Sequence, residues 1–560
     1  MKKPYCFVLT ALIFSFSVIG GAATAQNRHA DYGAVREAID QREVGSSLLK
    51  ASIDAGDYEA LRLWGLGGSE ACPVIRPYLA SNDTDTVVAA LAGLANCRDT
   101  GSFAAVYELA ASSGHRTIQT AALKALAFIT TELNRRPHSG LVAEVLQSEA
   151  PDAMKAVAIY GLMQSITYSG LSPSDLPALD FNLLLDQAAT PGPVGMQAAY
   201  LLARLAGLSS VYTPDAVMAA IKAGTAPEQQ YVLAKLLAQF GDVASPFLIE
   251  LAASDDPRLA MSALRSLGGL TDAASMALID QTLSHNNSAY RHLAVTALAA
   301  RNQGDAAITA KVAILANDAN PWVAVTALRG LMQRAPDQAI PIAEAWIAGD
   351  DYYRAFVALG MLAQSDDGKA ILTDYAAAHP DTIRGREAAI ALDPSIEAIR
   401  QPRKTPSASL LRSYSSRAII LETTRGAICI EPLPDAPYAA ANFMLLADAG
   451  KLDGMLWHRV IPNFVTQAGQ SEDFSLATWG TIREEWGAPS HEVGTVGVAT
   501  AGPDTGSAQF FINTAHNLHL DGRYTVFAKV VSGMDVANLL QEGDVIEKAS
   551  TETVQTAACK

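Results

Sequence analysis

The feature that most constrains the fold is a short internal repeat, which extends from Asp31 to Asp393 of the 560-residue chain. This segment is rich in Ala and Leu, and phrases such as SALRSLGGL and TALRGLMQR recur at a regular short interval. Equivalent positions are occupied by Leu264, Leu298, Leu328 and Leu359. Within each phrase apolar residues recur at i, i+3, i+4 and i+7, the spacing of one helix face. The segment is therefore predicted to be a series of helical hairpins.

Helix-start signals accompany the repeat. Asp256 precedes Pro257 and Asn320 precedes Pro321, so that a capping side chain stands before a proline suited to the first helical turn. The pattern resembles a short form of the HEAT repeat family, which implies an N-terminal all-α HEAT-like solenoid over residues 31–393. A single irregular helical domain is the alternative. From Met163 to Phe181 the period is interrupted by Pro, Ser and Gly, which predicts an inserted loop.

A solenoid has an extended concave surface, and such surfaces usually bind protein. The resemblance therefore implies a protein partner on the solenoid. Basic residues recur near the predicted unit starts, namely Arg258, Arg265, Arg291, Arg329 and Arg354. They could line the concave surface or be solvated, and solvation is the preferred interpretation.

The character of the sequence changes after the repeats. Residues 394–416 mix Pro, Ser and basic residues, which is typical of a linker. The phrase RAIILETTRGAICIEPL then alternates apolar and polar residues around Arg425 and Gly426, which predicts a two-stranded hairpin. The phrase APYAAANFMLLADAGKL that follows is predicted to be a helix.

Two later blocks carry the most specific signal. They are WHRVIPNFVTQAGQ, from Trp457 to Gln470, and AGPDTGSAQFFINTAHNLHLDGRYTVFAKV, from Ala501 to Val530. Both resemble the cyclophilins, which are peptidyl-prolyl cis-trans isomerases, and the resemblance extends from about Arg417 to Ile546. It implies a C-terminal domain over residues 417–560, folded as a closed antiparallel β-barrel with flanking helices. The chain is thus predicted to be multidomain.

Peptidyl-prolyl isomerisation requires no bond cleavage. Rotation about the X-Pro bond faces a barrier of ~18–20 kcal/mol, and a catalyst only has to bind the twisted amide better than the planar one. No cofactor or metal is therefore expected. The resemblance implies that Arg459 is the catalytic hydrogen-bond donor and that Gln467 helps to position it. Without the surrounding motif, Arg459 would be interpreted as part of a surface ion pair.

The resemblance also implies a set of substrate-binding residues. These are Phe464, Val465, Ala499, Thr500, Ala501, Gln509, Phe511, His519, Leu520 and Tyr524. Taken singly, the apolar members could be core residues. The chain departs from the family's common residues at Thr500 for Asn, His519 for Trp, Tyr524 for His and Val465 for Met, and the loops between Gln470 and His491 are short. The short loops imply reduced activity and His519 implies weak cyclosporin binding, whereas the changes at Thr500, Tyr524 and Val465 are expected to cost little.

The N-terminus carries a targeting signal. Residues 1–25 combine Lys2 and Lys3, an apolar run and a small-residue cleavage site before Gln26, which predicts a signal peptide and export to the periplasm or outside the cell. An uncleaved anchor is the alternative. No later segment is expected to be long and apolar enough to cross a membrane, so no membrane contact is predicted after signal removal. A formal charge of −16 argues against nucleic acid as a partner.

Four cysteines remain after signal removal, an even number that is compatible with an oxidising compartment. A disulfide between Cys72 and Cys97 is plausible because both lie in neighbouring predicted hairpins, and Cys429 with Cys559 is a looser possibility. No Cys or His spacing suggests a metal site.

These features predict an exported peptidyl-prolyl isomerase that assists protein folding, acts on proline-containing polypeptides and recruits clients or a partner through its solenoid. The alternative is a scaffold that binds proline segments without catalysis. A hydrolase is disfavoured because the Ser and His residues form no recognisable catalytic motif.

Overall fold

The computed structural model describes residues 32–223, 226–301, 304–393, 407, 410–411, 414, 417–470, 481–487 and 489–553. The predicted signal peptide, most of the predicted linker and Cys559 lie outside the described residues. The predicted domain boundaries therefore stay predictions.

The N-terminal part is helical from Tyr32 to Leu392. Its α-helices are α1 (Tyr32–Asp40), α2 (Ser47–Asp54), α3 (Tyr58–Trp64), α4 (Cys72–Ile75), α5 (Thr84–Asn96), α6 (Phe103–Ser112), α7 (Arg116–Ile129), α8 (Arg135–Gln147), α9 (Asp152–Ile166), α10 (Phe181–Ala188), α11 (Pro193–Leu202), α12 (Pro214–Lys222), α13 (Pro227–Ala234), α14 (Ser245–Ala252), α15 (Pro257–Leu267), α16 (Ala273–Thr282), α17 (Ser288–Ala300), α18 (Ala306–Leu315), α19 (Pro321–Arg334), α20 (Pro336–Ala348), α21 (Tyr352–Leu362), α22 (Asp366–Ala378) and α23 (Ile383–Leu392). Short 3₁₀ segments occupy Gly65–Glu70, Arg76–Ala80, Thr100–Ser102, Pro173–Asp175, Leu208–Ser210 and Lys235–Ala244.

The odd-numbered helices from α3 to α23 pack on one another in series, and even-numbered helices pack against their odd-numbered neighbours. Small Ala side chains beside Leu allow this close approach, and positions such as Ala263, Ala327 and Ala358 are fully buried. The predicted caps are confirmed. A carboxylate oxygen of Asp256 accepts the Arg258 amide at 2.9 Å, and the side-chain oxygen of Asn320 accepts the Val323 amide at 3.2 Å.

The predicted interruption of the period is present, since α9 ends at Ile166 and α10 begins only at Phe181. The expectation about membrane spans is wrong by the criteria of length and composition. Among the described residues, the run Pro227–Ala252 meets both criteria, and 44% of its apolar window is buried. The run is not one straight helix, because Gly241 adopts φ +63° and separates α13 from α14.

The C-terminal part contains a single curled antiparallel sheet with two α-helices. The elements are β1 (Arg417–Thr423), β2 (Gly426–Pro432), α24 (Pro437–Asp448), β3 (Leu456–Ile461), β4 (Val465–Gln470), β5 (Thr495–Val498), β6 (Phe510–Asn513), β7 (Val526–Ser532), α25 (Met534–Leu539) and β8 (Ile546–Thr553), with a 3₁₀ turn at Leu518–Leu520. Within the described residues the strand order is β3-β4-β6-β5-β7-β2-β1-β8. The predicted hairpin around Arg425 and Gly426 and the helix after it are confirmed as β1–β2 and α24.

The sheet is open, whereas a closed barrel was predicted. The two edge strands, β3 and β8, meet near one corner, where Leu456 forms an isolated bridge with Val545 and Trp457 exchanges backbone hydrogen bonds with Gly543 and Asp544. Farther along β3 the amide of Val460 donates to the Glu542 carboxylate at 3.1 Å. A side chain therefore satisfies this edge where a closing strand would otherwise pair with it.

The concave face of the sheet and α24 enclose an aromatic core. Phe443 of α24 stacks on Phe527 at 4.4 Å and meets Phe510 edge-on at 5.6 Å, and Trp457 meets Phe510 at 5.7 Å. Trp322 of α19 belongs to the same buried cluster. Conversely, Leu456, Ala515 and Leu518 belong to the apolar core of the helical part. The two parts of the chain thus share buried apolar surface.

Hydrogen bonds join the two parts along much of the helical segment. Donor and acceptor pairs include Arg42 with Asp504, Arg62 with the Trp486 carbonyl, Arg98 with the Gly522 carbonyl, Tyr160 with Asp521, Asn463 with the Arg258 carbonyl and Asn320 with Gln541. Arg329 forms an ion pair with Glu542 at 3.5 Å. Arg329 therefore contacts the sheet domain while its side chain stays 46% exposed.

The predicted disulfide between Cys72 and Cys97 is confirmed, with the two Cα atoms 5.8 Å apart. Cys429 is also disulfide-bonded. Its predicted partner, Cys559, lies outside the described residues, so that pairing stays a prediction.

Candidate active site

The site begins at the hairpin of β3 and β4, whose antiparallel register places Arg459 opposite Gln467. The Arg459 Nη1 donates to Gln467 Oε1 at 3.2 Å, and Gln467 Nε2 donates to Gln509 Oε1 at 2.9 Å. Arg459 is exposed, whereas the two glutamines are half-buried. Two side-chain amides thus orient a guanidinium that remains accessible to a ligand.

An apolar pocket lies beside this hydrogen-bonded chain. Gln467 is opposite Phe511 of β6, and Val465 lies two residues earlier on the same face of the sheet. Val465, Phe511 and Leu520 form a separate buried cluster on the face opposite the aromatic core. Half-buried Phe464, Ala499 and Tyr524 pack around that cluster. The predicted pocket residues therefore come together on the outer face.

Two residues that the sequence reasoning missed support the pocket floor. Phe511 lies opposite Gly497 of β5, and a Cβ atom on Gly497 would overlap the Phe511 ring. His491 stacks on the other side of that ring at 5.5 Å, and burial lowers its pKa to about 4, so its imidazole is neutral near pH 7. A glycine inside a strand signals close approach of another group, and the phrase TVGV could have identified Gly497.

The backbone after β5 forms one rim of the pocket. The Ala499 amide donates to the Gln509 carbonyl at 3.0 Å, and the Ala501 amide donates to the Thr505 hydroxyl at 2.9 Å. Ala501 is exposed and Thr500 is half-buried. Two amides of this segment are thus engaged within the domain, and its partly exposed main chain at Thr500 and Ala501 lies beside the apolar pocket.

His519 forms the opposite wall. Its ring stacks on Phe464 at 5.7 Å, and its Nδ1 lies 2.7 Å from Nη2 of Arg204 in the helical part. Burial lowers the pKa of His519 far below its ordinary value, and nearby Arg204 lowers it further. The neutral imidazole therefore accepts a hydrogen bond from Arg204. His519 is a buried wall residue braced by the helical part.

The segment that carries His519 and Leu520 is fixed from two sides. Within the sheet domain, Asn517 Nδ2 donates to the Phe464 carbonyl at 2.7 Å. From the helical part, Tyr200 donates to the His516 carbonyl and Gln164 to the Leu518 carbonyl. Tyr160 donates to the Asp521 carboxylate at 3.0 Å. The pocket wall therefore depends on residues that are distant in the sequence.

The site combines three features: an apolar cluster bordered by half-buried rings, an exposed guanidinium beside it and partly exposed backbone on one rim. Because arginine keeps its charge and offers several donors in a rigid plane, it suits recognition of a polar group beside an apolar ring. This fold and site define a class of proteins that bind an extended peptide with an apolar side chain in the pocket.

Comparison with known proteins places the chain within that class. Residues 418–560 match the family described as cyclophilin type peptidyl-prolyl cis-trans isomerase. Peptidyl-prolyl cis-trans isomerase B of Bacillus subtilis is 44% identical over 120 residues, which is 21% of this chain and 84% of the relative. A peptidyl-prolyl cis-trans isomerase of Helicobacter pylori is 36% identical over 143 residues, covering 23% of this chain and 82% of the relative.

A solved Cryptosporidium parvum cyclophilin-type peptidyl-prolyl cis-trans isomerase, crystallised in the presence of the dipeptide Ala-Pro, matches 24% of this chain and 99% of its own, with 22% identity and a TM-score of 0.22. From the sequence relatives, the chain belongs to the cyclophilin-type peptidyl-prolyl cis-trans isomerase family and is an enzyme of that class. The family match covers the C-terminal part alone.

Proposed function

We propose that this protein catalyses cis-trans isomerisation of X-Pro bonds in exported polypeptides, with Arg459 as the catalytic donor. The observation that carries the proposal is the position of the Arg459 guanidinium, which Gln467 holds at 3.2 Å beside the apolar pocket. The substrate proline would occupy the pocket formed by Val465, Phe511 and Leu520. Arg459 would then reach the proline nitrogen.

The physical basis is selective binding of the twisted amide. When the X-Pro bond rotates out of plane, resonance is lost and the proline nitrogen becomes a hydrogen-bond acceptor, which the planar amide nitrogen is not. A hydrogen bond from Arg459 therefore forms mainly in the transition state and lowers the barrier. A hydrogen bond to a charged group contributes about 1.5–3 kcal/mol, which corresponds to roughly tenfold to 150-fold in rate.

Other residues would hold the substrate in register. The accessible backbone of residues 499–501 would pair with the residue before proline in strand-like fashion. Gln467 orients Arg459, and Gln509 in turn orients Gln467 through the 2.9 Å hydrogen bond. Phe464 and His519 would cover the proline ring from one side, and Tyr524 would cover it from another.

We also propose that the helical part is a HEAT-like solenoid. Its support is the serial packing of odd-numbered helices together with the short internal repeat of the sequence. The sheet domain contacts helices such as α9, α11 and α19, so this face is occupied within the chain itself. A protein partner or client recruited by the solenoid would therefore contact its even-numbered helices.

Export through a signal peptide over residues 1–25 is a further part of the proposal. The disulfide between Cys72 and Cys97 supports it, because such bonds persist in oxidising compartments. N-terminal sequencing of the mature protein is expected to begin at Gln26. A mature protein that still begins at Met1 would contradict cleavage and favour the uncleaved anchor.

The activity is tested by exchange NMR on a short Ala-Pro peptide with the mature full-length chain. Catalysis predicts that the wild-type protein accelerates cis-trans exchange. Arg386→Ala, which removes an exposed arginine of α23, is the control for Arg459→Ala and should accelerate exchange as the wild type does. Peptide binding without faster exchange would contradict catalysis and favour the proline-binding scaffold.

A further inference from the structure

Basic side chains occupy equivalent positions along the face of the helical part that carries the sheet domain. Arg204 follows α11, Lys235 follows α13, Arg265 lies in α15 and Arg329 lies in α19. The steps between them correspond to one, one and two of the sequence repeats. Each follows a pair of Ala and Leu residues in the repeated phrase. We call this set the basic row.

Both ends of the basic row contact the sheet domain. At one end Arg204 Nη2 lies 2.7 Å from His519 Nδ1, and at the other Arg329 lies 3.5 Å from the Glu542 carboxylate. Lys235 and Arg265 lie between these ends, because α11, α13 and α15 pack in series. The row therefore runs along the junction between the two parts of the chain.

Water can reach the middle of the row. Arg265 is exposed and Lys235 is half-buried, and burial lowers the pKa of both. The pKa of Lys235 falls to about 8, with nearby Arg265 and Arg204 as further causes. Three positive charges therefore lie close to one another.

Two carboxylates of the junction, Glu228 and Asp521, already have partners. Glu228 pairs with Arg258 at 3.0 Å, and Asp521 accepts hydrogen bonds from Tyr160 and Ser490. Within the part of the chain that the structure describes, Lys235 and Arg265 form no ion pair. A protein with net charge −16 therefore keeps uncompensated positive charge at this location.

The basic row lies close to the candidate active site. The Arg459 guanidinium lies 5.7 Å from the centre of the Phe464 ring, and that ring stacks on His519, which bonds to Arg204. Lys235 is near enough to His519 to lower the pKa of that imidazole. An extended peptide advances about 3.3 Å per residue, so a chain that leaves the proline pocket along Phe464 comes close to Arg204 within roughly two to five residues.

We propose that Arg204, Lys235 and Arg265 form an acidic-peptide subsite, which binds Asp or Glu side chains located a few residues from the substrate proline. The proposal rests on the proposed isomerase function, since it defines which prolines are presented to the pocket. Guanidinium and ammonium groups recognise carboxylates through charge-assisted hydrogen bonds. Because these side chains are exposed or half-buried, the pairs are expected to have the strength of surface ion pairs and to weaken with salt.

The test compares six proline peptides of equal length with the mature full-length protein. Two Glu, two Gln or two Lys residues stand either after the proline or before it, so each Glu peptide has a Gln and a Lys counterpart. Dissociation constants come from NMR titration and catalysis from exchange NMR on the same samples. The variant Lys235→Gln/Arg265→Gln removes two charges from the middle of the basic row. The control Arg116→Gln/Lys155→Gln removes the same charges from the first turns of α7 and α9.

The subsite predicts that one Glu peptide binds about three- to tenfold more tightly than its Gln counterpart, that salt weakens this preference, and that its Lys counterpart binds least. The preference is expected to vanish in Lys235→Gln/Arg265→Gln and to persist in the control. Equal affinity of the wild type for the Glu and Gln peptides would overturn the subsite, even with normal catalysis. If the protein accelerated exchange in none of the peptides, the proposed function would be overturned. The dissociation constants would still decide whether the subsite exists.

An oligonucleotide of matched charge is included as a competitor. If it bound to the wild type more tightly than either Glu peptide and lost affinity in Lys235→Gln/Arg265→Gln, the assignment to acidic peptides would be overturned in favour of a nucleic-acid surface.

Discussion

Arg459 differs from Arg425, another arginine of the sheet domain, in what surrounds it. Its guanidinium is exposed and has a side-chain amide, Gln467, as its hydrogen-bond partner at 3.2 Å, whereas Arg425 faces the Asp544 carboxylate at 2.9 Å. A carboxylate partner would hold the guanidinium in an ion pair and compete with the substrate. An amide orients the guanidinium and leaves its charge available. The Arg459 guanidinium can therefore donate hydrogen bonds to a bound ligand.

Gly497 has a comparable role for the pocket floor. The substitution Gly497→Ala would place a methyl group where the Phe511 ring lies, so the ring must move or the strands must separate. We expect a loss of about 1–3 kcal/mol in unfolding free energy together with weaker peptide binding. Urea unfolding and NMR titration measure the two effects.

Gly360→Ala is the matched control, because a Cβ atom there meets open space in α21. That variant should be neutral or slightly more stable, since Ala favours helix. Equal behaviour of the two variants would show that the Phe511 ring is not packed on Gly497.

At the scale of elements, the segment from Thr514 to Arg523 shows how the helical part enters the site. Its residues contact α9 and α11 through Gln164, Tyr160 and Tyr200. No local pattern in the sequence signals these contacts, because the partners lie far apart in the sequence and each is an ordinary buried polar residue. The pocket residues themselves were predictable, because a linear motif carries them.

The disulfide between Cys72 and Cys97 stabilises the first helices of the chain. It closes a loop across 25 residues, and a loop of that order contributes about 3 kcal/mol by restricting the unfolded chain. We expect Cys72→Ser/Cys97→Ser to lower the protection of α3 and α5 amides in native-state hydrogen exchange by about that amount.

Reduction of the wild type should reproduce the loss, whereas α21 and α23, which lie far along the series, should keep their protection. Unchanged exchange in α3 and α5 would mean that the helices are held by packing alone.

At the scale of the whole molecule, the helical part and the sheet domain share buried surface, with Trp322 in one core and Leu518 in the other. Helix type, caps and the first hairpin were predictable, because each depends on neighbours within a few residues. The open sheet edge was not, since it depends on Glu542 reaching the Val460 amide. The occupied face of the helical part was also unpredictable from the sequence, because repeats indicate helix packing without indicating what lies against it.

The buried histidines make the stability of the protein sensitive to pH. Burial lowers the pKa of six of them, namely His138, His292, His458, His491, His516 and His519. Since their folded pKa values lie below the unfolded value near 6.5, the stability they contribute is present above pH 6.5 and is lost as the pH falls. Glu484, Glu485, Asp521 and Glu542 have raised pKa values and act in the opposite direction, but they are fewer.

We therefore expect the unfolding free energy to fall between pH 6.5 and pH 5. His292, whose pKa is lowered to about 3, offers a single-site test. His292→Gln should lower stability at pH 7.5 and make the decline shallower by about 1.4 kcal/mol per pH unit. Urea unfolding at several pH values measures this, and exposed His285→Gln is the control. A decline that is equally steep in His292→Gln would contradict the assignment.

The central claim is that Arg459 stabilises the twisted amide and contributes little to ground-state binding. The measurement that tests it most directly is the separate determination of kcat and KM for an Ala-Pro peptide with the mature full-length wild type, Arg459→Ala and Arg459→Lys. The account predicts that Arg459→Ala lowers kcat about 100-fold with little change in KM, and that Arg459→Lys is intermediate. An Arg459→Ala variant that retains kcat and only raises KM would contradict the claim, because Arg459 would then serve binding alone.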